Sequence, residues 1–222
     1  MLNNIINKWW FYNLSDFSWN IIISVSDKVV IFDDWKNDIS KIEILWSTDC
    51  MIFWFLDCSK NLEIIRNWEK TNILVNYLFL NNRELNISWN INWNILKSWN
   101  NLEMNILCLL ASKSLMKLDS SIFIDKNINS SSWKTNSEII FLSDDAKFSW
   151  IPWLKVVTND VKANHSMKID KISEESIYYL QARWILKENA KNIILKAKID
   201  NLYKFLQSCN KNLYENILSN IL

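Results

Sequence analysis

Along residues 20–169 the apolar positions come in short, strand-sized bursts: 21–23 (III), 29–32 (VVIF), 42–44 (IEI), 73–80 (ILVNYLFL), 122–124 (IFI), 139–142 (IIFL) and 154–157 (LKVV). They are rich in β-branched residues and separated by clusters of Asn, Asp, Ser and Trp, which predicts strands and turns. Residues 85–100 (LNISWNINWNILKSWN) set apolar side chains every few positions between repeated Asn/Ser-Trp-Asn punctuation. That reads as short strands turning corners, the pattern of a parallel β-solenoid whose stacked coils share one core. A sandwich of hairpins is the competing reading, because periodicity does not say which strand pairs with which.

After Lys171 the pattern becomes helical. Ser173 is placed to cap a helix whose first turn carries Glu174 and Glu175 against the positive end of the dipole. Ile177, Leu180 and Tyr178 recur at helical spacing, and the helix should stop after Arg183, putting Trp184 at the position where glycine usually turns the chain left-handed. A second helix should bury Ala190, Ile193, Ile194, Ala197, Leu202, Phe205 and Leu206, and a third Leu213, Ile217, Leu218 and Ile221. The division predicted is a β body over residues 1–171 and a small helical subdomain over 172–222.

Composition changes how the turns are read. The 222 residues contain no glycine, one proline and 14 tryptophans, with 32 Ile, 31 Asn and 22 Lys against 6 Ala and 3 Arg. Average usage would give glycine at about 7%, and the Ile/Asn/Lys excess is that of a very AT-rich gene. Trp19, Trp35, Trp46, Trp68, Trp89, Trp93, Trp99, Trp133 and Trp150 each adjoin Ser, Asn or Asp, the company glycine keeps in turns. Most tryptophans are therefore expected to stand at UGA codons that the organism reads as glycine, exposed at turns and in places at positive φ. The alternative is a Trp-rich surface that binds sugar or a membrane interface.

The net charge of +1 gives no nucleic-acid footprint. No apolar run approaches the ~18 residues of a membrane span, and no basic-then-apolar leader opens the chain, so a cytoplasmic protein is expected. Cys50, Cys58, Cys108 and Cys209 form no CxxC pair and lie far from the single histidine, His165, so they read as free thiols and not as a zinc site.

Residues 139–185 carry four ordered motifs: Leu142-Ser143-Asp144-Asp145-Ala146, Pro152-Trp153-Leu154-Lys155-Val156, Asn159-Asp160-Val161-Lys162-Ala163-Asn164-His165, and Tyr179-Leu180-Gln181-Ala182-Arg183-Trp184-Ile185. This run resembles the C-terminal signature of the SufB/SufD family, the β-solenoid scaffolds of the SUF iron–sulfur cluster assembly system. Trp184 stands where the family has its helix-ending glycine. The chain looks more like SufD, because the Cys-Asp-Ser motif of SufB is replaced by Phe141, Leu142 and Ser143, and the Glu after the histidine by Ser166. It is also shorter than typical members, so an N-terminal helical region is expected to be absent or encoded elsewhere.

The resemblance implies a right-handed parallel β-solenoid followed by a helical subdomain, acting as a non-catalytic scaffold. It implies a SufB-like subunit and a SufC-like ATPase as partners, with no cofactor bound alone and an iron–sulfur cluster held transiently in the complex. His165 becomes the candidate at the subunit interface and the candidate metal ligand, since an imidazole can bind iron beside thiolates from another chain. The residue-level alternative is a structural histidine at a strand end. The helical tail is implied to dock the ATPase, with Tyr178, Tyr179, Arg183, Ile193 and Ile194 as candidates beside Ala197. The other class considered is a β-solenoid polysaccharide-active enzyme, which would need clustered carboxylates in a groove; Asp33-Asp34 and Asp144-Asp145 are the acidic doublets available in the β body.

Overall fold

The computed structural model describes residues 4–6, 8, 10–17, 20–34, 39–46, 48–56, 58–81 and 86–222. Among the described residues, fourteen strands alternate between two parallel seven-stranded sheets. The first holds β1 (Asn4–Ile6), β3 (Asn20–Ile23), β5 (Lys41–Ile44), β7 (Lys60–Arg66), β9 (Asn86–Ile95), β11 (Leu115–Ile124) and β13 (Lys147–Val156). The second holds β2 (Phe11–Asn13), β4 (Val29–Asp33), β6 (Asp49–Leu56), β8 (Asn72–Asn81), β10 (Asn101–Leu110), β12 (Ser131–Phe141) and β14 (Val161–Lys171). Each strand pairs with the next of its own sheet, so the chain winds as a β-solenoid with one strand per sheet in each coil; the hairpin sandwich is excluded. Register partners Asp49 and Asn72 are 23 residues apart, whereas Asn101 and Ser132 are 31 apart. The solenoid thus widens toward its C-terminal end.

The core follows from period-two alternation. In β9 the side chains of Ile87, Trp89, Ile91, Trp93 and Ile95 are buried, while Asn90, Asn92 and Asn94 face outward. This corrects the sequence reading of residues 85–100 as short strands turning corners: 86–95 is one continuous strand. Asparagine is tolerated there because its neighbours in the sheet satisfy it, Asn94 donating to Glu63 at 3.0 Å and Asn92 bonding Ser121. Trp54 and Trp133 also lie buried within strands, and Trp150 is half-buried in β13. The turn placement expected for Trp89, Trp93, Trp133 and Trp150 is therefore wrong. Trp19 and Trp35 lie outside the described residues. Trp10, Trp46, Trp68, Trp99, Trp153 and Trp184 are exposed.

Stacked coils align like residues in rows. Ile6, Ile23, Ile44, Ile95 and Ile124 occupy one interior row, interrupted by Arg66. At a nearby corner Thr71, Asn100 and Ser131 form a buried polar rung: Thr71 N donates to Asn100 Oδ1 at 3.0 Å and Asn100 N to Ser131 Oγ at 3.1 Å. The residue before each rung member, Lys70, Trp99 and Ser130, is left-handed with φ of 53°, 60° and 49°.

Three helices follow: α1 (Glu174–Gln181), α2 (Lys187–Cys209) and α3 (Lys211–Ser219). Ser173 Oγ accepts from Ser176 N at 3.2 Å, the cap that the sequence predicts. The α2 side chains Leu195, Ile199, Tyr203 and Leu206 pack with Tyr214 and Ile217 of α3 on Phe53, Leu78, Leu107 and Ile140, on the outer face of the second sheet. Of the face predicted for α2, Ala190 and Leu206 are buried and Leu202 and Phe205 pack partly buried against the same cluster, whereas Ile193 and Ala197 are exposed and Ile194 half-buried; Leu195, Ile199 and Tyr203, whose hydroxyl donates to Trp54 O at 2.5 Å, take their place toward the sheet.

Candidate functional site

His165 sits in the middle of β14, not at a strand end. Its direction follows from register. In β12 the side chains of Ser131, Trp133, Thr135, Ser137 and Ile139 are buried in the solenoid, and their partners in β14 are Val161, Ala163, His165, Met167 and Ile169. The same logic turns Phe148, Trp150, Pro152, Leu154 and Val156 of β13 inward, over Met116, Leu118, Ser120, Ile122 and Ile124. The two rings that meet between the sheets agree: His165 and Trp150 stand edge to face with centroids 6.5 Å apart. Trp150 Nε1 donates to Ser120 Oγ at 3.0 Å, one coil deeper.

No further coil covers these two rows among the described residues. The final coil therefore presents to solvent the side chains that every earlier coil buries. Ile169 is 54% exposed, Met167 47% and Leu154 39%, whereas their counterparts one coil below, Ile139, Ser137 and Ile122, are 0%, 5% and 2% exposed. Ile151 and Trp153 are exposed on the opposite, outer side of β13, and Val157 just beyond it. An uncovered interior row of this kind marks a candidate interaction surface. Below His165, Thr135 Oγ1 and Ser137 Oγ are buried without a hydrogen-bond partner among the described residues.

Charges frame this end rather than fill it. Lys198 Nζ of α2 lies 2.6 Å from Glu138 Oε1, and Lys168 Nζ of β14 lies 3.7 Å from the same oxygen and 2.8 Å from Asp170 Oδ2. The Lys168 ammonium holds the Asp170 carboxyl below its ordinary range. A pair between Lys171 and Asp144 closes the far end of β14 and lowers the Asp144 carboxyl likewise. Of the acidic doublets, Asp33 is buried and accepts from Trp54 Nε1 at 3.2 Å, and Asp144 is paired with Lys171.

Among the described residues no group of three or more His, Cys, Asp and Glu side chains is gathered to hold a metal ion. Cys50 and Cys108 are buried in the solenoid; burial pushes the Cys50 thiol up to about 12, against the lowering effect of Arg66, and the Cys108 thiol higher still. Neither offers a thiolate at neutral pH. Cys58 is half-buried and Cys209 is exposed at the end of α2.

The uncovered end and its histidine fall within the stretch that known proteins share. The family model described as "SUF system FeS cluster assembly, SufBD core domain" matches residues 59–198. The chain belongs to the SufBD family. Among its relatives, an iron–sulfur cluster assembly SufBD family protein of Pyrococcus horikoshii is 30% identical over 98 residues, 42% of this chain and 22% of the relative. One of Staphylococcus saprophyticus is 29% identical over 69 residues, 31% of this chain and 15% of the relative. The matched stretches thus span less than a quarter of those relatives' lengths.

In this SufBD-family chain the residues singled out in the tail lie on α1, on the turn after it and in the first turns of α2. Tyr178 and Tyr179 are exposed, and the Arg183 guanidinium lies 4.1 Å over the Tyr179 ring and bonds its hydroxyl. Leu186 and Ile193 are exposed nearby in sequence, while Ile194 is half-buried. The tail candidates and His165 belong to different elements, and no contact joins Tyr178, Tyr179, Arg183 or Ile193 to His165 among the interactions described. What the sequence reading missed is the exposed inward row of β14. Its signal was present: Val161, Ala163, His165, Met167 and Ile169 alternate strictly with Lys162, Asn164, Ser166, Lys168 and Asp170. No helix among the described residues is long and apolar enough to cross a membrane.

Proposed function

We propose that this chain is a SufD-like, non-catalytic scaffold subunit of a SUF iron–sulfur cluster assembly complex, pairing through the uncovered end of its solenoid with a SufB-like subunit. The observation that carries the reading is the inward row Val161, Ala163, His165, Met167 and Ile169, which has no covering coil among the described residues. A second solenoid end laid on it would bury this apolar row and bring thiolates of the partner beside the His165 imidazole. The nascent cluster is the cargo of that junction. His165 supplies one neutral nitrogen to iron, a borderline donor suited to a mixed nitrogen and sulfur site. The SufD assignment rests on Phe141 and Leu142 at the end of β12 and just past it, and on Ser166 after the histidine, where SufB carries a thiolate and carboxylates.

The helical tail, residues 172–222, serves in this reading as a subdomain that docks a SufC-like ATPase. Tyr178, Tyr179, Arg183 and Ile193 form its exposed contact surface, a helical face offered to a groove. Co-expression with a SufB-like protein and a SufC-like ATPase from the same organism tests both contacts. The three chains should copurify. Met167→Asp combined with Ile169→Asp should release the SufB-like chain and retain the ATPase, and Tyr178→Ala combined with Ile193→Asp should do the reverse. A wild-type chain that binds neither protein would overturn the proposal.

A further inference from the structure

Trp99 and Trp184 stand in the left-handed backbone region that favours glycine, a region that Lys70, Ser112, Asn127 and Ser130 also enter. Residues 180–185 close α1 with Ile185 N donating to Leu180 O at 3.3 Å and Trp184 N to Gln181 O at 2.9 Å. These are the two bonds of a Schellman ending, and the residue that must be left-handed in it is Trp184, at φ 65°. Its side chain is 97% exposed and so repays none of the strain that a Cβ brings to that conformation. Trp99 holds the second such position. It is left-handed at φ 60° between Lys70 and Ser130, which hold the same corner in the adjoining coils, and it is 55% exposed. The corner cannot relax to another conformation, because Asn100 behind it is fully buried and fixed by four bonds: from Thr71 N, to Ser131 Oγ, and from its own Nδ2 to Trp68 O and Lys97 O.

Trp54 shows what an indole that fits looks like in this fold. It is fully buried, donates to Asp33 Oδ2 at 3.2 Å and stacks on Tyr77 at 4.7 Å between centroids. Nothing comparable holds the indoles at 99 and 184, and a chain of 222 residues with no glycine has no other residue that enters the left-handed region without a steric cost.

We propose that residues 99 and 184 are glycine in the protein made by its native cells, their codons being UGA read as glycine. A functional consequence follows at position 184, resting on the ATPase-docking reading above. The position lies between Tyr179 and Leu186 at the turn from α1 to α2, so a docked partner would meet bare backbone there and not a projecting indole. Glycine at this turn makes the contact surface one that a partner approaches to main-chain distance.

Peptide sequencing by mass spectrometry of the protein isolated from its native cells tests the proposal without any partner. Peptides spanning residues 99 and 184 should each carry glycine; tryptophan at either position, or a UGG codon there, overturns it. Recombinant variants supply a second readout. Trp99→Gly and Trp184→Gly should each shift the unfolding midpoint upward, while Trp54→Gly lowers it; a downward shift for the first two would contradict the geometric case. If glycine is found and the ATPase still fails to bind, the docking reading fails and the identity of the residues stands.

Discussion

His165 and Arg66 are the two side chains whose chemistry the backbone alone does not explain. His165 lies on an exposed strand, so His165→Ala should leave the unfolding free energy within about 0.5 kcal/mol of wild type and reduce cluster formation by the reconstituted complex. Undiminished assembly would remove the imidazole from the mechanism. Arg66 is the opposite case. It takes an isoleucine place in an interior row, with Nη2 donating to Thr71 O at 2.7 Å, Nε without a partner and no carboxylate pairing with it among the described residues. Burial lowers its guanidinium from 12.5 to about 9. Arg66→Met should be neutral or stabilising, by about 1–4 kcal/mol in denaturant unfolding. Because the unfolded chain binds the proton more tightly than the folded one between those values, wild-type stability recovers as pH rises through about 9, and the advantage of the variant should narrow there.

At the scale of elements, β14 and α2 decide how the two candidate surfaces are connected. Among the described residues β14 pairs with β12 alone, and Lys168 of β14 bridges to Glu138 of β12, which is in turn held by Lys198 of α2, while Lys168 also pairs with Asp170 of its own strand. The Asp170 carboxyl is lowered first by Lys168, so its stabilisation is complete above the ordinary value of 3.8 and is lost as pH falls below it. Asp170→Asn should flatten the fall of stability in that acid range, read from unfolding midpoints as a function of pH. Helix α2 is held by apolar contact. Ile199 is fully buried against the second sheet, and Ile199→Ala should cost about 2–5 kcal/mol, measured by thermal or denaturant unfolding. A near-neutral result would mean that the helices do not rest on the sheet.

The elements were not equally legible. Ser173 and the acidic first turn announced α1 because capping is local chemistry, encoded within four residues. β9 was misread because Asn, Ser and Trp look like turn residues in isolation. Only the neighbouring coil, with Ser121 and Glu63 waiting for Asn92 and Asn94, makes them strand residues. The face of α2 is legible in part: Ala190 and Leu206 are buried as their spacing predicts, but Ile193 and Ala197 are not. Its helical period fits more than one face, and the choice falls to Leu195, Ile199 and Tyr203 because Trp54 O and the sheet's outer apolar residues lie beneath them. The site was half legible: motifs pointed to His165, and the alternation around it pointed inward, but only a stacked register shows that the row is uncovered.

The molecule as a whole is a widening solenoid, apolar inside, whose last described coil leaves its interior rows open. Earlier coils bury the counterparts of Met167, Ile169 and Leu154 almost completely, which is what favours the pairing proposed above. Helices cover part of one outer face, on the second sheet, and their exposed turn lies on other elements than the open end. The pairing claim is tested most directly by hydrogen–deuterium exchange on the chain alone and in complex with a SufB-like subunit. Exchange in β13 and β14 should slow markedly on complex formation, with β4 and β6 unchanged. A complex that forms while β13 and β14 exchange as in the free chain would contradict the account.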